Sequence, residues 1–245
     1  MIIAQLSDIH ADGSARSLDR LDAVVRWLQP LRPDAIIVSG DLAEEAHEEC
    51  YPEVRRRLES LDAPYFVVPG NVDDHREMQR VFGDRFGWGE ERPLNVSGLV
   101  GEGQLRVIGL DVTVAGAHHG DARPVLDWLG QELNSGGPPA LIFQHQHPFL
   151  CGIDGKDRNI CYGGDELARL IETASDPIVG LTCGHVHRPM FTRFANRPAT
   201  MSPSVTRANQ LRLDGRETSI SDPPGLLIHH FASGRMVSHV VSVAQ

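Results

Sequence analysis

The chain has 245 residues, 41% of them hydrophobic, and a formal net charge of −10 with no basic block. Length and composition suit one α/β domain over residues 1–245 with a sizeable core and exclude a disordered chain, while the acidic balance argues against long nucleic acid as a partner. Four cysteines, at 50, 151, 161 and 183, make no close-spaced pair and read as free thiols of a reducing compartment; without a leader pattern or a run long enough to span a bilayer, the chain is expected to be cytoplasmic and off the membrane.

Residues 1–6 predict a strand closed by Ser7-Asp8-Ile9-His10, in which Asp8 and His10 share a face if the segment stays extended. Leu18, Leu21, Val24, Val25 and Leu28 recur at helical spacing, and Pro30 and Pro33 end that helix. Residues 35–38 form a buried-strand pattern closed by Ser39-Gly40-Asp41. Residues 44–61 read as a charged helix with Val54, Leu58 and Leu61 inside, and 65–68 as a third strand closed by Pro69-Gly70-Asn71. A weaker strand pair, about 94–100 and 104–110, ends in Asp111 and leads to Ala117-His118-His119-Gly120. A helix around Leu126–Leu133 and a Gly/Pro break precede the strand 140–143, which is closed by Gln144-His145-Gln146-His147-Pro148. A polar loop covers 149–164 and a helix 165–173. The apolar run 178–181 then enters Cys183-Gly184-His185-Val186-His187. As the end of a strand, that segment turns His185 and His187 to one face and Cys183 away from it. Short β segments follow, clearest at 226–228.

Five apolar strands thus each end in a residue able to bind a metal: Asp8 and His10, Asp41, Asn71, His145, and His185 and His187. Each has a plain local explanation. Asp8 caps a turn or Asp41 a helix; Asn71 fills a left-handed turn after Gly70; His145 is buried and satisfied; the last pair lies on a surface turn. Strands that alternate with helices are largely parallel, and ligands gather beyond their carboxyl ends. One shared site is the simpler reading of five corresponding positions. Seven candidates exceed one tetrahedral ion and match two ions that share a carboxylate.

Asp8-Ile9-His10, Gly40-Asp41, Gly70-Asn71, His145 and Gly184-His185-Val186-His187 resemble, in order, the motif set of the calcineurin-like metallophosphoesterases. The run from His145 to Asp157, with His118-His119-Gly120 and Pro223-Pro224-Gly225, looks like the class III cyclic-nucleotide phosphodiesterase and glycerophosphodiesterase branch. The resemblance covers nearly the whole chain. It implies an α/β fold, a four-layer α/β/β/α sandwich with two mixed central sheets. It also implies two divalent metal ions, one held by Asp8, His10, Asp41 and His187 and the other by Asp41, Asn71, His145 and His185, with Asp41 bridging. Mixed nitrogen and oxygen donors suit manganese, iron or zinc. Related enzymes often dimerise, so a homo-oligomer is compatible with the resemblance.

The chain departs from the branch at Gly70-Asn71-Val72-Asp73, where a histidine usually follows the asparagine, and valine can neither bind phosphate nor donate a proton. Three readings follow: the protein is a substituted variant, it acts on esters with easier leaving groups, or another histidine stands in, either His75, with a surface helix position as its plain alternative, or one of His118 and His119. His147, two residues after His145, contacts substrate or lies on the rim. Asp41, Asn71, His75 and His147 are therefore the candidate catalytic residues. His229 and His230 are expected to pack or face solvent. The expected activity is in-line hydrolysis of a small phosphodiester, a 3′,5′-cyclic nucleotide or a glycerophosphodiester. Hydrolysis of a monoester, a nuclease (weakened by the acidic balance) and a non-catalytic scaffold are the alternatives.

Overall fold

The structure is a computed structural model and describes residues 1–89, 93–214 and 219–244. In chain order its elements are β1 (Ile2–Leu6), α1 (Ala15–Leu28), β2 (Ala35–Ser39), α2 (Cys50–Glu59), β3 (Tyr65–Val68), α3 (His75–Phe86), β4 (Val96–Val100), β5 (Leu105–Leu110), β6 (Gly120–Asp121), α4 (Leu126–Leu133), β7 (Ala140–Gln144), α5 (Asp154–Asp157), β8 (Cys161–Tyr162), α6 (Gly164–Thr173), β9 (Ile178–Cys183), β10 (Met190–Phe194), β11 (Arg197–Met201), β12 (Ala208–Asn209), β13 (Ser219–Ile220), β14 (Gly225–Ala232) and β15 (Arg235–Ser242).

Helical returns make the leading strands parallel. Helix α1 starts where Ser14 accepts a hydrogen bond from the Ser17 amide at 3.3 Å and stops ahead of Pro30. Its buried Leu21, Val24, Val25 and Leu28 lie on β1 and β2. The first sheet has the order β15-β14-β1-β2-β3, with β1, β2 and β3 parallel and β14 and β15 antiparallel to their neighbours. The second has the order β10-β11-β9-β7-β5-β4, parallel except at its edges β10 and β4. Three apolar layers bind them. Helices α1, α2 and α3 cover one sheet through residues such as Val24, Leu58 and Phe82. Helices α4 and α6 cover the other through Leu129, Leu133, Leu167 and Ile171. Ile3, Ile37, Val68, Val107, Leu141 and Phe143 meet between the sheets. This is the expected four-layer α/β/β/α arrangement. Among the described residues no helix is long and apolar enough to cross a membrane.

Two predicted segments differ. The helix expected over 44–61 begins only at Cys50, because Glu44 is drawn toward the end of β1 and its amide donates to Ala11 O at 2.9 Å. The loop 149–164 is partly ordered: it contains α5, and β8 pairs with β6.

A polar group crosses the apolar layer between the sheets. Gln5 on β1 donates to Ser39 Oγ at 2.9 Å and to Cys183 O at 3.1 Å. Its Oε1 accepts from Thr182 Oγ1 at 2.5 Å and pairs with His229 Nε2 at 3.0 Å. Thr200 Oγ1 donates to Thr182 Oγ1, and His229 Nδ1 pairs with Ser238 Oγ, both at 2.8 Å. His229 is fully buried in this group, and burial pushes its pKa down to about 4. Partner by partner, the group satisfies side chains that would be costly to bury alone.

Gly109 on β5 faces the first sheet at a close-packed point. A Cβ there would stand 2.5 Å from Phe143, 2.6 Å from Val68 and 2.7 Å from Val96. Gly109→Ala is therefore expected to destabilise the fold by about 1–3 kcal/mol through overpacking. Urea unfolding reads this as a lower midpoint at unchanged slope; an unchanged midpoint would mean the sheets yield freely.

Candidate metal centre

The carboxyl ends of β1, β2, β3, β7 and β9 lie together, and the backbone beyond them is laced. Asp8 N donates to Gly40 O at 3.0 Å, Ile9 N to Asp41 O at 2.8 Å and Ala11 N to Leu42 O at 3.1 Å. Within the second sheet, beyond β9 and β7, Gly184 N donates to His145 O at 3.0 Å. Asp8, His10, Asp41, His185 and His187 all have positive φ, between 47° and 74°. The expected face-sharing by alternation in an extended chain is thus corrected. Consecutive left-handed turns after the strands, not a continued pleat, bring these side chains together. Such conformations are uncommon for residues other than glycine and cluster where function demands them. Gly40 and Gly70 permit the approach. A Cβ on Gly40 would stand 2.5 Å from His145 Nδ1, and one on Gly70 would overlap Asp41 Oδ1.

Asp41 is the hub. Its Oδ2 lies 3.3 Å from His10 Nε2 and 3.2 Å from His145 Nε2, and its Oδ1 accepts from Val72 N at 3.1 Å. Asp8, fully buried, accepts from His185 N at 3.1 Å and faces His187 Nε2 at 3.2 Å. The far side of three imidazole rings is fixed: His10 Nδ1 by Glu44 Oε2 at 2.8 Å, His145 Nδ1 by Ser39 O at 2.7 Å, and His187 Nδ1 by Arg207 O at 2.9 Å. This leaves each Nε2 aimed inward, the orientation that metal-binding imidazoles take when the other nitrogen is held. His10 Nε2, His145 Nε2, His185 Nε2 and Asn71 Oδ1 are buried without a hydrogen-bond partner. One donor atom each from Asp8, His10, Asp41 and His187 fall within 4.8 Å of one another.

The electrostatics follow from burial against pairing. Burial opposes the charge on Asp41, but His145 and His10 hold its carboxyl well below the usual range. Asp8 behaves likewise: burial is overcome by His187 and His145. Burial lowers His145, yet Asp41 and Asp8 raise it to about 9. His10 is also raised, against burial, by Asp41 and Glu44. Burial and the neighbouring His145 push His185 well down. Asp73 underpins the loops: its carboxylate accepts from Leu42 N at 2.9 Å, Ala43 N at 3.2 Å, Gly70 N at 2.8 Å and Tyr51 OH at 3.0 Å. Burial, then Asp41, pushes it up to about 6 despite those donors.

The seven residues Asp8, His10, Asp41, Asn71, His145, His185 and His187 are brought together. His75 and His147 are not part of the cavity wall above them. His75, first residue of α3, is neither on the surface nor at the centre: it is buried, with Nε2 3.0 Å from Asp111 Oδ2 and 2.9 Å from Thr113 Oγ1. His147 is fully buried behind His185, ring centroids 5.9 Å apart, and burial pushes it down to about 4. His118 lines the 340 Å³ cavity over Asp41, with Nδ1 3.4 Å from Asn71 Nδ2, whereas His119 packs on Tyr162. Lys156, Asn159 and Asn209 complete that wall. The first two come from the polar loop 149–164, but nothing in the local pattern singled them out. Glu44 and Asp73, equally integral, were hidden in a charged segment and behind the Asn71 motif.

The family described as calcineurin-like phosphoesterase matches residues 1–189. A probable glycerophosphodiester phosphodiesterase of Arcobacter nitrofigilis is 30% identical over 94% of this chain and 89% of its own length. A cAMP/cGMP dual specificity phosphodiesterase of Mycobacterium tuberculosis is 34% identical over 86% of this chain and 69% of its own. Among solved structures, a dimetal phosphatase from Danio rerio shares the fold with a TM-score of 0.71 at 11% identity, covering 100% of this chain and 99% of that one. With ordered motifs, a four-layer sandwich and converging donors in agreement, the chain belongs to the calcineurin-like phosphoesterases, a family of hydrolytic enzymes that use divalent metals.

Proposed function

We propose that this chain is a dinuclear-metal-dependent phosphodiesterase acting on small diesters of the cyclic-nucleotide or glycerophosphodiester type. The observation that carries the reading is the set of buried atoms with no hydrogen-bond partner, on His10, Asn71, His145 and His185, gathered around the Asp41 carboxylate that the His10 and His145 rings face at 3.3 and 3.2 Å. These donors fit divalent ions. Asp8, His10, Asp41 and His187 would hold one; Asp41, Asn71, His145 and His185 would hold the other. The nitrogen and oxygen set suits manganese, iron or zinc. Two such ions, when bound, lower the pKa of a water and polarise the phosphoryl oxygens for in-line displacement.

The protein's own contribution is orientation and proton supply. His118 stands on the cavity wall beside the centre, with Nδ1 3.4 Å from Asn71 Nδ2. In its imidazolium form His118 would take over the work of the side chain that Val72 lacks, giving a proton to the departing alkoxide and returning to the neutral ring. Lys156 stands on the same wall with a charge suited to a phosphoryl oxygen. A second cavity of 430 Å³ shares His10, His187 and Asn209 with the first and is bordered by Arg16 and Arg207. Room on both sides of the centre supports an ester with two alcohol groups. The names of the relatives point the same way, and the acidic balance favours a small substrate over a long polyanion.

Asp41→Ala is expected to abolish loading of both ions and turnover, read by elemental analysis and a nitrophenyl diester assayed beside its monoester; full metal-dependent activity would overturn the assignment. His118→Ala should lower turnover of esters with alkyl leaving groups by about 10²–10⁴-fold while sparing nitrophenyl esters, and Val72→His in that background should restore it. Equal loss on both ester classes would remove His118 as the acid. Metal-ligating imidazole must be neutral, and the metal-free pair with Asp41 keeps His145 protonated up to about 9. Metal uptake at neutral pH should therefore release protons, with affinity rising with pH until about 9. Calorimetry in buffers of different ionisation heat measures the release; its absence would contradict the pairing.

A further inference from the structure

Outside the centre described above, the loop after β7 carries a second gathering of donors. His147, Cys151 and Asp157 place a ring nitrogen, a sulfur and a carboxylate oxygen within 4.8 Å of one another. His147 is fully buried, its ring set between His185 and Phe149 at centroid distances of 5.9 and 5.8 Å. Neither of its nitrogens has a hydrogen-bond partner. Nε2 stands 3.6 Å from Asp157 Oδ1, beyond hydrogen-bond distance. An imidazole withdrawn from water with both nitrogens unfilled calls for an occupant.

The other two donors are held. Asp157 Oδ1 accepts from Cys151 N at 2.7 Å and Oδ2 from Gly152 N at 2.9 Å, across a turn that Gly152 makes at φ +80°. These bonds orient the carboxylate and leave lone pairs on both oxygens. Cys161 N donates to His147 O at 2.9 Å, anchoring the other end of the loop.

We propose that His147, Cys151 and Asp157 form a separate binding site for a borderline-soft divalent cation of the zinc class, with water as the fourth ligand. Imidazole, thiolate and carboxylate together are a zinc donor set, and three protein ligands leave one position open. Metal–ligand bonds of about 2.0–2.3 Å require the donors to draw together on binding; Cys151, only partly buried, has room to turn. Binding replaces the thiol proton by the cation and releases that proton to solvent. Without a cation, burial and Asp157 push the thiol up to about 12; a bound cation reverses that balance, because a coordinating thiol is deprotonated outright.

The ion would brace the roof of the pocket. Lys156 and Asn159, which face the cavity over Asp41, flank Asp157 in the same loop. Cation binding itself does not rest on the phosphodiesterase reading, since none of the seven residues around Asp41 is a cysteine.

That difference supplies the test. The full-length metal-free chain, kept reduced with a phosphine, is titrated with cobalt(II). A thiolate-to-cobalt charge-transfer band in the near ultraviolet is expected in the wild type, in Cys50→Ser and in Asp41→Ala. It should be absent from Cys151→Ser and lost or strongly weakened in Asp157→Asn. Zinc content by elemental analysis should be one equivalent higher in the wild type than in Cys151→Ser, with circular dichroism melts confirming that the variants fold. No band in the wild type, or a band that survives Cys151→Ser, would overturn the proposal. Loss of metal from Asp41→Ala with the band intact would separate the two sites.

Discussion

A carboxylate with almost no access to water sits at the ends of two sheets, and much of the surrounding structure answers to it. Burying the Asp41 charge is expensive unless opposite charge and hydrogen bonds meet it. His10 and His145 approach it from different sheets, Val72 N reaches it from a third strand end, and Gly40 and Gly70 make space by having no side chain. Asp73, with four donors, then holds in place the loops that hold Asp41.

The two sheets contribute unequally. The first brings Asp8, His10, Asp41 and Asn71; the second brings His145, His185 and His187. All the oxygen donors of the seven thus come from one layer and most of the imidazoles from the other. Neither layer holds a complete set for either of the two proposed ions, so whatever loosens the packing between Phe143, Val68 and their neighbours would also loosen the grip on them.

Strand ends and apolar runs made the fold and the grouping of the seven donors legible in the amino-acid sequence, because both depend on local pattern and chain order. The route to the grouping was not legible. Five residues bearing the donors adopt left-handed backbone, which no spacing rule anticipates for histidine and aspartate. His75 and His147 show the same limit. Each lies close in sequence to a proposed ligand, yet what fixes its place, Asp111 and Thr113 for the one and packing against His185 and Phe149 for the other, follows from the fold rather than from local pattern. Glu44 lies outside the helix expected to include it for a similar reason: its tie to His10 spans 34 positions. His118 could be ranked above His119 only once the cavity had walls.

Between the sheets, oily side chains alone would let one layer slip over the other with little penalty, since dispersion contacts are not directional. Gln5 prevents this. It reaches Ser39 and His229 within its own sheet and Thr182 and the Cys183 carbonyl in the facing one. Sliding by a single residue would strand its amide and take from the Thr182 hydroxyl its acceptor in a dry interior. The group acts as a locating key: it sets the lateral alignment of the two halves and, a short way along the same strands, the gap that a pair of cations would have to bridge.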